Sequence, residues 1–285
     1  MSDARAVLRR AGLAPKRSFG QNFLVSPHAV ASIAEACVPD ADRGHARVIE
    51  LGGGTGVLSR ALVERAGHVT VVERDRDLVP VLQTELEEPI GRGACAVIEG
   101  DAQSVPIAEI LGPPDPERPR VLGGNLPYQI TGRLLERAVE NAEHVERVVF
   151  MVQLEVAERL AASPGEKAYG ALTVFVRAAF RVKKLFNVSP GSFHPPPDVT
   201  SAVVLLEPER PRRAAETDTF RAVVKGAFGA RRKTLRNAWR ALGPLEVVAQ
   251  AAEAAGVSLE ARGETLSVDQ FAAMARELEA RGLGK

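Results

Sequence analysis

Five short apolar runs, each closed by a polar or glycine residue and followed by a segment of helical period, constrain the fold more than any other feature of the chain. Val48-Ile49 leads into Glu50-Leu51-Gly52, Val69-Thr70-Val71-Val72 into Glu73, and Ala94 to Ile98 into Asp101. Arg120-Val121-Leu122 leads into Asn125, and Val148 to Val152 into Gln153. Runs this short and rich in β-branched residues read as strands buried on both faces, and the helical stretches between them supply the crossovers that parallel neighbours need. The pattern predicts a doubly wound α/β domain with a mostly parallel sheet, whose ligands bind beyond the carboxyl ends of its strands. A chain of 285 residues, 45% of them hydrophobic, can bury one such core and a small second domain.

The pattern changes after the fifth run. Tyr169 to Ala178 reads as a helix, and Val182 to Val188 and Ser201 to Leu206 as two late strands around a Pro-rich loop, antiparallel at or near the sheet edge. Pro208 and Pro211 interrupt a charged stretch that reads as a linker. Beyond it lie helical patterns near Asp218 to Phe228, Arg232 to Leu242, Leu245 to Ala255 and Val268 to Arg281, the last opened by a Ser267–Gln270 capping box. The boundaries that follow are an α/β domain over residues 1–207, including a basic N-terminal segment 1–25, and a small all-α domain over 208–285.

Global charge says nothing about partners, because the formal net charge is only +1. Local charge says more. From Glu207 to Ala241 there are ten Lys or Arg against four Asp or Glu, an excess of six, and the first 25 residues carry Arg5, Arg9, Arg10, Lys16 and Arg17 against Asp3. Two basic segments on a near-neutral chain point to a polyanion with a defined footprint, although solvated helix faces produce the same composition. Cys37 and Cys95 lie far apart, outside any zinc-ligand spacing, and read as buried small hydrophobes of a reducing compartment. The N-terminus has no signal-peptide pattern and no apolar run reaches transmembrane length, so a cytoplasmic protein without membrane contact is expected.

The residues that carry chemistry gather at the strand ends. Glu50-Leu51-Gly52-Gly53-Gly54-Thr55-Gly56 follows a strand and opens a helix, with glycines at 52, 54 and 56 for a sharp turn and close ligand approach. A dinucleotide-binding fingerprint needs glycine where this chain has Val57, and the spacing instead resembles the first motif of class I methyltransferases. Glu73 can accept hydrogen bonds from both hydroxyls of a ribose, and Asp101 can hold an adenine amino group. Asn125-Leu126-Pro127-Tyr128 follows the fourth strand. There the Asn125 side-chain oxygen and the Leu126 carbonyl can accept from an exocyclic amine and stabilise the positive charge that develops on it during methyl transfer. Pro127 stiffens the turn, and Tyr128 can stack on a base held outside its helix. Each feature alone has a plain structural reading: a ligand-free glycine turn, surface acids, an Asn-Pro turn over a buried tyrosine.

Taken with dispersed segments in the same order, these motifs resemble the ribosomal RNA adenine N6-dimethyltransferases, and among them the small-subunit dimethyladenosine transferases. The segments are Ser18 to Leu24, Met151 to Leu160, Phe193-His194-Pro195-Pro196-Pro197-Asp198-Val199-Thr200-Ser201-Ala202-Val203, Phe228 to Asn237, and Arg262 to Ser267. The resemblance implies a Rossmann-like class I fold using S-adenosylmethionine and no metal. It implies cofactor contacts at Asn22, Leu24, Gly52, Gly54, Glu73, Asp101 and Asn125, and a target adenine flanked by Tyr128 and Phe193. Arg231, Arg232, Lys233, Arg236 and Arg240 match a basic helix that would grip RNA phosphates. Gly53 stands where the family usually has proline, which predicts a more flexible loop, and Ser59 where it often has threonine.

The expected activity is dimethylation of two adjacent adenosines in a 3′-terminal hairpin loop of small-subunit (16S) ribosomal RNA, on an immature 30S particle and by a monomer. Two other readings stay open: a large-subunit dimethyltransferase of the macrolide-resistance type, and a ribosome-assembly factor acting mainly by binding and release.

Overall fold

The five runs form the parallel centre of a seven-stranded sheet. The strands are β1 (Phe23–Leu24), β2 (Arg47–Leu51), β3 (His68–Glu73), β4 (Cys95–Glu99), β5 (Arg120–Asn125), β6 (Arg147–Gln153), β7 (Phe180–Val188), β8 (Phe193–His194) and β9 (Ser201–Pro208). Their order in the main sheet is β4-β3-β2-β5-β6-β9-β7, with β2 to β6 parallel and β9 antiparallel to β6. This computed structural model describes residues 3–230 and 232–283. Contacts divide the chain into two units, Met1–Ala157 with Lys183–Pro208, and Glu158–Val182 with Glu209–Lys285.

In the first unit the sheet runs outward from β2 through β3 to β4, then resumes on the other side of β2 with β5. Strand order therefore reverses between β2 and β5, where a doubly wound sheet opens a crevice at its carboxyl end. Val48, Ile49 and Leu51 of β2 and Val69, Val71 and Val72 of β3 are all buried, as strands covered on both faces must be. Helix Pro27–Cys37 packs Val30, Ile33 and Cys37 into that core, and starts where Ser26 accepts the Ala29 N–H ahead of a proline at the first helical position. A separate two-stranded ribbon pairs β1 with β8, setting Leu24 opposite Phe193 and Phe23 opposite His194.

The second unit is helical, with one core of its own. Trp239, Tyr169, Phe220 and Phe271 are fully buried in that core, and the Trp239 indole N–H donates to the Val223 carbonyl at 2.8 Å. The Ser267–Gln270 capping box forms in both directions and opens helix Val268–Ala280.

Two expectations are corrected here. The second unit does not begin at residue 208 alone, because residues 158–182 pack within it. Val174 and Ala178 of helix Ala171–Ala179 join its core, and the Tyr169 hydroxyl donates to the Leu266 carbonyl at 2.8 Å. The expected basic helix over Arg232 to Leu242 is also broken, into helix Leu235–Ala238 and a single 3₁₀ turn, Arg240–Leu242. The cause is competition for backbone donors: the Leu235 N–H bonds to Ala261 and the Arg236 N–H to Leu259, so the chain ahead of them is not wound into helix. Among the described residues no helix is long and apolar enough to cross a membrane.

Trp239 is the only tryptophan of the chain, so its emission reports the second unit selectively. Phe220→Ala should cost that unit about 3–5 kcal/mol, read as a lowered urea midpoint of tryptophan fluorescence. An unchanged midpoint would mean that this cluster does not hold the unit together.

Candidate active site

The carboxyl ends of β2, β3 and β5 and the segment Ser18–Leu24 enclose a cleft of about 370 Å³ in the first unit. That is the size of a small-molecule site. Its floor is the turn after β2, where Gly52, Gly54 and Gly56 all take positive φ (+85°, +56° and +78°), a region that residues with a Cβ seldom enter. Gly53 is needed for a different reason. A Cβ there would lie 2.2 Å from Cγ1 of the buried Val71. The glycine that replaces the family's proline therefore does not loosen the loop as expected; it is packed hard against β3, and Val71 leaves no room for a ring.

Two buried carboxylates meet this turn. Glu73, at the end of β3, accepts the Gly54 N–H through Oε2 and the Asp75 N–H through Oε1, both at 2.8 Å. Burial raises its pKa, and the N–H groups of Asp75, Gly54 and Arg74 oppose that rise. Glu50, near the end of β2, is only 1% exposed, and its Oε2 has no hydrogen-bond partner among the described residues. Burial pushes Glu50 up to about 8, with the Glu73 charge adding to the rise and the Ser59 hydroxyl opposing it.

The N-terminal strap lies over the cleft and is tied down by charge. The Lys16 ammonium donates to both Asp75 and Asp77 at 2.6 Å, Gln21 donates to the other Asp75 oxygen at 2.7 Å, and the Lys16 N–H returns to the Gln21 side chain at 2.7 Å. Burial would raise the Asp75 pKa, but these donors together hold it below the usual carboxylate range. None of this latch was singled out from sequence. The one signal for it was a lysine in the N-terminal segment and an acid two residues after Glu73, a pairing that only the fold makes meaningful.

Beyond the strap, Asn22 and Asn125 meet: the Asn125 side-chain N–H donates to the Asn22 carbonyl at 2.9 Å. The amide nitrogen is thereby engaged, and its oxygen remains as an acceptor at the cleft. Leu126 is buried and its N–H bonds to the Met151 carbonyl at 3.1 Å, while Thr131 anchors the Pro127 carbonyl at 3.1 Å. Tyr128 starts a 3₁₀ turn on the cleft wall, with its hydroxyl 2.8 Å from Ser201 Oγ.

Most residues expected from sequence thus come together: Asn22, Leu24, Gly52, Gly54, Glu73, Asp101, Asn125, Leu126 and Tyr128 all line this cleft. Asp101 is already partly engaged, by the Gln103 N–H at 2.9 Å and by Arg74 at 3.4 Å. Phe193 is placed otherwise. Pairing of β8 with β1 turns it into the core beside Phe23 and Leu24, only 1% exposed, and it is absent from the cleft wall. In the second unit Arg232, Lys233 and Arg236 are exposed, Arg236 in an ion pair with Glu260, and Arg231 lies outside the described residues.

A doubly wound sheet with this glycine turn and this strand-end cleft defines a class I methyltransferase fold. A crystal structure of a dimethyladenosine transferase from Plasmodium falciparum matches it with a TM-score of 0.78 at 24% identity, over 92% of this chain and 99% of that one. The 23S rRNA methyltransferase ErmE matches with a TM-score of 0.65 at 26% identity, over 90% and 100%. In sequence, the ribosomal RNA small subunit methyltransferase A of Myxococcus xanthus (strain DK1622) is 42% identical over 98% of this chain and 96% of its own length. The protein of that name from Geobacter metallireducens is 40% identical over 96% and 99%. The profile of the ribosomal RNA adenine dimethylase family matches residues 12–280. The chain belongs to the ribosomal RNA adenine dimethylase family.

Glu50 makes stability depend on pH in a stated direction. Its folded pKa is raised from 4.5 to about 8, so between those values the folded chain holds a proton that the unfolded chain has released. Stability therefore falls as pH rises through that window. Glu50→Gln, which keeps the neutral form, should flatten this part of a urea-unfolding pH profile. A decline as steep as in the parent would assign it to another group.

Proposed function

We propose that the chain dimethylates N6 of two adjacent adenosines in a hairpin loop near the 3′ end of small-subunit ribosomal RNA. S-adenosylmethionine is the methyl donor, and the substrate is an immature 30S particle in the cytoplasm. The observation that carries the chemistry is the commitment of the Asn125 amide nitrogen to the Asn22 carbonyl, which leaves the side-chain oxygen as an acceptor beside the Leu126 backbone. Small-subunit specificity is supported by relatives about 40% identical over nearly their whole length that carry that name.

The cleft fits such a donor. The Gly54 and Asp75 N–H groups go to different Glu73 oxygens, and a carboxylate with about four acceptor positions keeps room for ribose hydroxyls. Gly52 and Gly54 bring bare main chain to the cleft, Asn22 and Leu24 close it from the strap, and Asp101 lines it beyond Gly100. The Glu50 oxygen that no described residue satisfies leaves a hydrogen-bonding position open to a ligand. Bound there, S-adenosylmethionine supplies a methyl group on a sulfonium, already activated for transfer.

The chain's own residues do the rest. An exocyclic adenine amine is a poor nucleophile because its lone pair is delocalised into the ring. Asn125 Oδ1 and the Leu126 carbonyl accept its hydrogens, favour a more tetrahedral nitrogen and stabilise the charge that develops during attack. Tyr128 stacks on the base and holds it at these acceptors. Exposed Arg232, Lys233 and Arg236, with Arg231, grip phosphates and position the RNA without reading its sequence. The first unit is accordingly the catalytic domain and the second the RNA-binding domain.

Asn125→Ala should abolish methylation while leaving RNA affinity within about twofold, since it removes an acceptor and no phosphate contact. The decisive assay offers a labelled methyl donor to separated immature 30S and 50S particles, followed by nucleoside analysis. Label in N6,N6-dimethyladenosine from the small subunit is expected. Label confined to the large subunit would transfer the enzyme to that substrate, and no label in either would leave a binding factor.

A further inference from the structure

Ser201 has no place in the reading above, yet it makes a directed contact with the cleft. It opens β9 opposite Gln153 of β6, is fully buried, and its hydroxyl lies 2.8 Å from the Tyr128 hydroxyl. The sheet order explains the reach. Asn125 ends β5, β6 is its neighbour, and β9 lies next to β6, so the tyrosine extends from the loop after β5 across the end of β6 to the first residue of β9.

The ring is thereby held at both ends. On the backbone side, Pro127 at φ −59° precedes the Tyr128–Ile130 turn, and Thr131 bonds the Pro127 carbonyl at 3.1 Å. On the far side, the hydroxyl is fixed to a strand of the main sheet rather than to a loop. Burial gives this hydrogen bond a second purpose, because a buried serine hydroxyl without a partner costs free energy that the pair avoids. A stacking platform fixed before the base arrives loses less freedom when it is used, and placement errors of about 1 Å can cost a reaction on the order of a hundredfold.

We infer that Ser201 is a positioning residue for methyl transfer: it clamps the Tyr128 hydroxyl so that the aromatic ring stands ready as one wall of the target-adenine site. The inference rests on the reading of Tyr128 as that wall. Ser201 is not part of the cleft lining and reaches the cleft through Tyr128. Its loss therefore acts on turnover rather than on the affinity of either substrate, and acts only through the tyrosine hydroxyl. The tyrosine hydroxyl serves as the far anchor of the ring.

The test is a double-mutant cycle on the full chain, with single-turnover and steady-state methylation of 30S particles and a parallel thermal unfolding curve. Ser201→Ala should lower kcat about tenfold, with KM for both substrates within twofold. Tyr128→Phe, which deletes the same hydrogen bond from the cleft side, should give a loss of similar size, and the double variant should be no slower than either single one. A Ser201→Ala penalty that persists undiminished in the Tyr128→Phe background would overturn the inference, since the serine would then act through something other than the clamp. So would full activity of Ser201→Ala. If Ser201→Ala does not fold, Tyr128→Phe alone decides, because parental kcat in that variant removes the clamp from the mechanism. Tyr128→Ala separates this from the wider reading: parental activity there would discard Tyr128 as an adenine wall, whereas a large loss with a silent Tyr128→Phe would discard only the clamp.

Discussion

The hydrogen bond from the Gly54 N–H to Glu73 is the contact on which the cleft depends. It joins the turn after β2 to the end of β3, so the floor of the site and one of its walls form a single rigid piece. Val71, two residues before Glu73, fills the space under Gly53, so the same strand fixes the turn from below and from the side. Gly52 completes the attachment by donating to the Val72 carbonyl at 2.8 Å. Three consecutive residues of β3 thus dictate a loop that belongs to β2. The cost is a carboxylate in a dry place, offset by backbone donors that favour its charged form.

Burial without such backbone donors has a larger consequence next door. Glu50 sits one strand away with an oxygen that none of the described residues satisfies, and its proton is retained to near neutral pH. The two carboxyl groups at the ends of these adjacent parallel strands both have their pKa raised by burial, Glu73 against three backbone N–H groups and Glu50 against the Ser59 hydroxyl. A buried polar group with an open acceptor marks a place where a ligand, rather than the fold, completes the hydrogen bonding.

Much of this was legible in the sequence because it depends on local pattern. Short, nearly continuous apolar runs ending in polar or glycine residues located β2 to β6, and the glycine spacing located the turn, since positive φ restricts residue type directly. What escaped depends on contacts distant in sequence. Whether Tyr169 belongs with the strand before it or the helices after it is decided by Leu266, almost a hundred residues away. The basic stretch has adequate helical composition, but Ala261 and Leu259 capture its backbone donors. Phe193 has the residue type of a stacking platform, and only its pairing with Leu24 across a two-stranded ribbon turns it inward. The Lys16 latch likewise joins residues some sixty positions apart.

That latch bears on the chemistry through one amide. The two ends of an asparagine side chain are nearly equal in size, and only hydrogen bonding decides which faces a ligand. At Asn125 the decision is made by the Asn22 carbonyl, and Asn22 sits between a latch through Lys16, Gln21 and Asp75 on one side and the β1–β8 ribbon on the other. With the strap in place Asp75 is nearly inaccessible and takes a donor from Lys16 and one from Gln21, so opening the strap breaks both bonds together. An enzyme that aims an amide oxygen at a weakly nucleophilic amine needs that constancy, because an amide turned about its axis would present a donor to hydrogens and repel the substrate it is meant to hold.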